Sequence, residues 1–216
     1  MLDMKQLGTA EAEIGHPVEQ LLTPLSGYRN ARPEAHVALD NGAFSRYDGA
    51  RFRALVDRER PRAALCRFVA VPDVVGSARR TLEVFEQLVG TGYDALGKPC
   101  APKWKPLKGY PIALVCQDGQ EDLPIPWDHI AAVFIGGTTE WKLSRHAAEI
   151  VKAAKVLGRW AHIGRINTPM RREHFDRLDA DSFDGSGLAR YSWMREALRD
   201  YEPPTAPLFE TEALAA

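Results

Sequence analysis

Cysteine is scarce in this 216-residue chain: there are three, Cys66, Cys100 and Cys116. None forms a C-x-x-C pair, which excludes the usual zinc and iron–sulfur spacings, so no metal is expected. An odd count without a secretory leader points to a reducing cytoplasm rather than a disulfide scaffold. Cys66 and Cys116 lie in apolar runs and read as small core residues. Long hydrophobic runs are missing as well. None approaches the ~20 residues that a membrane helix needs, so no membrane partner is expected. Charge of one sign is also missing, the net value being −1. That excludes a basic wrapper of nucleic acid and confines any polyanion site to a local patch. Internal repeats are not visible.

The remaining composition is that of a globular domain, 45% hydrophobic and 26% charged. A chain of this length suits one domain that buries its core without staples. Short apolar runs alternate with helix-like stretches. The strands read as residues 36–39, 66–71, 112–116, 131–135 and 160–163, a weaker one at 182–183, and a further start at 21–25. Most are continuous apolar runs, as expected of strands covered on both faces. Helices are expected at 49–58, 77–89, 143–157 and 171–177. Alternation of this kind argues for a parallel sheet, either a compact TIM-like (β/α)8 barrel or an open doubly wound sheet. A single barrel domain over 1–202 followed by a loose tail at 203–216 is the expected organisation. Residues 92–109 form a loop broken by Pro99, Pro102 and Pro106.

Most strands end in a polar or glycine-rich cluster: Asp40-Asn41-Gly42, Pro72-Asp73, Gln117-Asp118-Gly119, Gly136-Gly137-Thr138, Gly164-Arg165 and Asp184-Gly185. Parallel strands place their C-terminal ends on one face, where the active sites of such folds lie, so these clusters should converge. Asp40 and Asp184 suggest paired-carboxylate chemistry. Cleavage of an N-glycosidic bond passes through an oxocarbenium-like state that one carboxylate can attack while another group handles the proton. Asp73, Gln117 and the backbone of Gly136 and Gly137 suit a purine: a carboxylate meets the N1–H and N2–H₂ donors of guanine, and a carboxamide or N–H meets O6. Taken singly each aspartate is as readily a turn former or helix cap. Asp181 rivals Asp184, and Asp118 rivals Gln117.

In their order these motifs resemble the tRNA-guanine transglycosylase superfamily. Asp40-Asn41-Gly42-Ala43-Phe44-Ser45 resembles its Asp-Ser-Gly-Gly-Phe-Gln motif, which carries the acid/base aspartate. Asp73 in Val71-Pro72-Asp73 matches the base-reading aspartate, and Gln117-Asp118-Gly119 matches Gln-Gly-Gly. Gly136, Gly137 and Glu140 match a glycine pair with its nearby glutamate. Phe183-Asp184-Gly185 matches the Phe-Asp-Cys segment of the nucleophile. The resemblance therefore favours Asp184 and Gln117 over their rivals. It spans about residues 36–190. The family's tRNA enzymes carry a C-terminal zinc subdomain of three Cys and one His that has no counterpart here. The chain is more similar to short phage-encoded members, some of whose relatives insert 7-deazaguanine bases into DNA; the setting would then be the host cytoplasm.

The resemblance implies a transferase that replaces guanine in a nucleic acid, DNA before tRNA, with a free 7-deazapurine such as preQ0 or preQ1. It needs no cofactor: Asp184 attacks C1′, Asp40 serves as base, and Asp73, Gln117, Gly136, Gly137 and Glu140 hold the heterocycle. A non-catalytic purine-binding barrel and a nucleosidase that releases the base to water are the rival readings. The loop residues Lys103, Trp104, Lys105 and Lys108 alternate base and aromatic and are expected to hold phosphates or stack a displaced base. Lys142 and Arg165 are expected beside phosphates that flank the target. His162 reads more readily as a hydrogen-bonded core histidine than as a catalyst. Period two sets it opposite Ile163, so one of the two faces the barrel interior.

Overall fold

The computed structural model describes residues 4–14, 18–25, 34–185, 187 and 191–199; the expected tail at 203–216 lies outside them. In chain order the elements are α1 (Met4–Ile14), β1 (Gln20–Leu22), β2 (Val37–Leu39), α2 (Gly49–Glu59), β3 (Cys66–Ala70), α3 (Ala78–Leu88) and β4 (Ile112–Cys116). They continue with β5 (Ala132–Ile135), α4 (Thr139–Lys142), α5 (Arg145–Val156), β6 (Trp160–Ile163), α6 (Pro169–Asp176), β7 (Ser182–Phe183) and α7 (Ser192–Arg199). Asp48, Ser77, Thr138 and Thr168 cap α2, α3, α4 and α6, each accepting from a backbone N–H three residues on. The expected helix at 143–157 is α5, while α1, the short α4 before it and α7 have no counterpart in the sequence reading. No helix joins β4 to β5. Pro124 and Pro126 break that connection into two 3-10 turns, Gln120–Asp122 and Trp127–His129.

All seven strands are parallel and stand in sequence order. A doubly wound sheet reverses its order partway, and this one does not. The sheet curls so that β1 and β7, its two edges, line the same cavity, giving a half-barrel. Neither an eighth strand nor a closing β7–β1 pair is found among the described residues. There α1 packs against α7, with an ion pair between Arg195 and Glu13. No described helix is long and apolar enough to cross a membrane.

Side-chain alternation sorts the sheet into two layers. Leu39, Val69, Leu114, Val133, Ile135 and Ile163 face outward and pack under Phe52, Phe85 and Val151 of the helices. Ala38, Phe68, Ala70, Ala113, Val115, Ala132 and Phe134 face inward. Four of those seven are alanines, and their small volume leaves the interior open. The pairing of β2 with β3 slips: Val37 meets Cys66 but Leu39 meets Val69, so three steps on β3 oppose two on β2. This bulge lets Cys66 face the helices and Phe68 the interior.

Candidate active site

The inward register continues past the strand ends. Two residues beyond Ala38 comes Asp40, beyond Val115 Gln117, beyond Phe134 Gly136, and beyond Ser182 Asp184. Period two thus aims all four into the interior at the C-terminal end of the sheet. Asp40, Asp73, Gln117 and Asp184 line one cavity of about 600 Å³ together with Phe44, Phe134, His162 and Arg165.

Asp73 follows β3 and is gripped from both sides. Asn41 Nδ2 donates to its Oδ1 at 2.9 Å, and Gln117 Nε2 donates to its Oδ2 at 2.6 Å. Asn41 is itself fixed, donating to Val71 O at 3.0 Å and accepting from Ala43 N at 2.7 Å. The carboxamide of Gln117 is set by two backbone donors on its oxygen, Gly76 N at 3.0 Å and Gly137 N at 3.2 Å. Its nitrogen therefore faces Asp73 with one hydrogen to spare. Burial raises the pKa of Asp73, against the bonds from Asn41 and Gln117 and the charge of Arg165.

The other two carboxylates are driven apart. Burial first, and the nearby charge of Asp184 second, push Asp40 up to about 7, against bonds from the Gly42 and Asn41 backbone. Asp184 is half-buried, and desolvation pulls it upward. The contact with His162, the Arg165 N–H and the Lys142 ammonium outweigh that and hold it below the usual carboxylate value. His162 Nε2 lies 3.2 Å and Arg165 N 3.1 Å from Asp184 Oδ1. A pair of carboxylates with separated pKa values can divide the work of acid/base and nucleophile.

The rivalries posed by the sequence resolve in space. Asp181 stands at the other end of β7, bonded to Lys155 Nζ at 2.5 Å and Ala161 N at 2.7 Å. Asp118 accepts from Thr138 N at 2.8 Å and Thr138 Oγ at 2.6 Å, outside the cavity lining. Asp184 and Gln117 are the inward residues.

Other expectations need correction. The N–H groups of Gly136 and Gly137 are not free for a purine, because Gly136 N donates to Cys116 O and Gly137 N to Gln117. Packing explains both glycines: a Cβ at Gly136 would lie 2.8 Å from Gln117 Nε2, and one at Gly137, at φ 42°, would strike the Trp141 ring at 2.4 Å. Glu140 is exposed on α4 and does not line the cavity. Lys142 is 2% exposed, donates to Gly164 O, and is pushed down to about 8 by burial and by Arg165. It is an internal counter-charge, out of reach of a phosphate. Arg165 lines the cavity, and its Nη2 donates to the carbonyls of Gly136 and Gly137. Its guanidinium lies 4.0 Å over the ring of Phe44.

The basic loop is misplaced altogether. Lys103 N and Trp104 N donate to Val89 O and Leu88 O, which ties the loop to the end of α3. A helix that follows one parallel strand returns to the start of the next. Lys103, Trp104, Lys105 and Lys108 therefore lie at the N-terminal end of the sheet, away from the carboxylates. Trp104 stacks on Phe52 at 5.8 Å, and Lys103 pairs with Glu86 at 2.7 Å.

Three participants were not recognised as such in the sequence. Asn41 orients Asp73, Phe44 is 63% exposed on the rim, and His162 reaches Asp184. For His162 the signal was register, since it shares the inward parity of Phe134 and Asp184. No model of a known protein family matches the chain, and no curated protein matches it.

Proposed function

We propose that the chain is a transglycosylase that exchanges guanine in a nucleic acid for a 7-deazaguanine base. One observation carries this reading. Two carboxylates share a cavity with their pKa values driven apart, beside a carboxylate–carboxamide pair that matches the polar edge of a purine. Asp184, kept ionised, attacks C1′ of the target nucleoside. A C1′–O bond to the carboxylate forms as the C1′–N9 bond breaks, and the departing guanine takes its proton from Asp40. The incoming deazapurine then returns its N9 proton to Asp40. Its nitrogen attacks C1′, and Asp184 leaves as the carboxylate.

Asp73 meets the N1–H and N2–H₂ donors of either base, and the spare Gln117 hydrogen meets O6. The two bases share that edge, so one pocket serves both halves of the exchange. A binding protein would gain nothing from Asp40 and Asp184, since burying two carboxylates costs free energy that purine recognition does not recover. The target nucleotide has to leave its stack to reach C1′ inside the half-barrel, by flipping or from a single strand. DNA is the acceptor we favour. The Cys3His site of the tRNA enzymes cannot be assembled from Cys66 and Cys116, which are buried on separate strands, and the exposed Cys100.

The test is direct. The protein is incubated with labelled guanine and either duplex DNA, single-stranded DNA or tRNA, and label in the polymer is counted. Label in DNA supports the whole reading, and label in tRNA alone moves the acceptor. Free guanine released from polymer without any incorporation would make the chain a hydrolase, and no turnover of any polymer would overturn the reading.

A further inference from the structure

Beneath Asp184 a row of inward side chains runs down β6 and β7. Trp160 Nε1 lies 2.8 Å from Ser182 Oγ, Ser182 Oγ lies 2.8 Å from His162 Nδ1, and His162 Nε2 lies 3.2 Å from Asp184 Oδ1. The imidazole is 4% exposed and sits between two aromatic rings, 5.0 Å from the centroid of Phe68 and 4.5 Å from that of Phe134. The register that builds the row is fixed by the sheet, since Phe134 pairs with His162 and His162 with Ser182.

The row has a direction. An indole N–H can only donate, so Trp160 occupies an oxygen lone pair of Ser182. With a neutral ring whose Nε2–H meets the Asp184 carboxylate, Nδ1 is an acceptor and takes the serine hydroxyl hydrogen. This arrangement gives every donor an acceptor and leaves no lone pair facing a carboxylate. Its end point matters for chemistry. His162 Nε2 and Arg165 N both land on Oδ1 of Asp184. The nucleophile is therefore held by one oxygen, and no hydrogen bond to the other is found among the described residues.

We infer that His162 is the positioning residue of Asp184, locked in its Nε2–H tautomer by Trp160 through Ser182, so that Oδ1 is the anchored oxygen and Oδ2 the attacking one. The inference rests on the reading of Asp184 as nucleophile. His162 touches no reacting atom in this scheme. It orients the carboxylate and stabilises its charge before attack, and it releases that stabilisation as the ester forms.

Two measurements separate this inference from the function it serves. The first needs no turnover. Imidazole ¹⁵N shifts of the full chain, with His162 assigned by its loss in His162→Gln, are expected to show the neutral Nε2–H tautomer. Ser182→Ala should relax that preference, and Trp160→Phe should relax it less. An Nδ1–H tautomer in the unaltered protein, or a tautomer indifferent to Ser182→Ala, would overturn the lock. The second is kinetic. His162→Leu should lower kcat for base exchange about 10- to 100-fold with KM for free guanine unchanged, a size typical of lost outer-shell support. His162→Gln carries an amide N–H to about the position of Nε2 and should recover much of that loss. Equal losses in both variants, or a loss confined to KM, would reduce His162 to core packing. An unaltered protein that exchanges no base but shows the tautomer pattern would defeat the proposed function and leave the hydrogen-bonded lock standing.

Discussion

Asp181 and Asp184 flank the two-residue strand β7, at opposite ends of the sheet, and they live under different rules. Asp181 is satisfied by an ammonium and a backbone N–H. Other charges at that end are handled likewise: Lys103 with Glu86, and Arg58 and Arg62 with Glu59. At the other end three carboxylates crowd a cavity, one pushed to about 7 and another held ionised by His162, Arg165 N–H and Lys142. One end of the sheet spends its polar groups on stability. The other keeps carboxylates where burial and mutual repulsion work against them, an arrangement expected of a reactive site.

The sharpest way to break this contrast is to treat the two aspartates alike. Asp184→Asn should lower base exchange by at least about 10⁴-fold, as loss of a nucleophile does, while free guanine still binds. Asp181→Asn should leave exchange unchanged and cost below about 1 kcal/mol, because the amide oxygen still accepts from Ala161 and one part-exposed ion pair is lost. Label incorporation and thermal melts read the two outcomes. Near-normal exchange in Asp184→Asn would dissolve the distinction between the ends.

Asp40 offers the next largest effect and a test by pH. Asp40→Asn should slow exchange about 10²- to 10⁴-fold, the range of a lost acid/base group. In the unaltered protein kcat/KM should fall as pH rises through about 7, where Asp40 gives up the proton it has to deliver. Stability should follow the same group. A carboxyl with a raised folded pKa favours the fold most at low pH and loses that advantage as pH climbs through the folded value. Asp40→Asn should therefore be more stable than the unaltered chain at pH 8.5, by about 4 kcal/mol, and about equal to it only near pH 3, below the ordinary carboxylate value. Melting curves at both pH values decide the point.

Asp73→Ala is expected to act on binding. Removing the acceptor leaves the purine donors and the Asn41 and Gln117 amides unpaired, so free guanine should bind about 10- to 100-fold more weakly. Calorimetry with guanine measures it. An unchanged affinity would move the base out of the Asn41–Asp73–Gln117 cradle.

Much of this division was legible from pattern. Continuous apolar runs marked the parallel strands, and the polar residues that follow them had to converge because parallel strands share a C-terminal face. That logic placed Asp40, Asp73, Gln117 and Asp184 together. It failed where an answer depended on direction rather than composition. The Lys103–Lys108 segment looks like a polyanion patch, but its side of the sheet is set by α3, which carries the chain to the opposite end. Lys142 looks exposed beside Trp141, but its ammonium turns inward to the carbonyl of Gly164. Gly136 and Gly137 look like base-reading turns, yet close packing against Gln117 and Trp141 accounts for them. His162 reads as a core residue because one histidine in a strand carries no sign of its partners. Its tie to Asp184 needs the register between β6 and β7, which no local pattern supplies.

The smallest expected effect probes the back of the sheet. Lys103→Ala, Lys105→Ala and Lys108→Ala together remove three positive charges, a change that flattens the salt dependence of any polymer bound near them. All three lie at the end of the sheet remote from Asp184, so the slope of affinity against salt should stay the same, as should the exchange rate. The only cost should be below about 1 kcal/mol from losing the exposed Lys103–Glu86 pair. Titration of labelled DNA at several salt concentrations, with the triple variant beside the unaltered chain, reads this out. A flatter slope in the variant would show that the bound polymer wraps from the carboxylate end to the loop, and the division between a reactive front and a stabilising back would no longer hold.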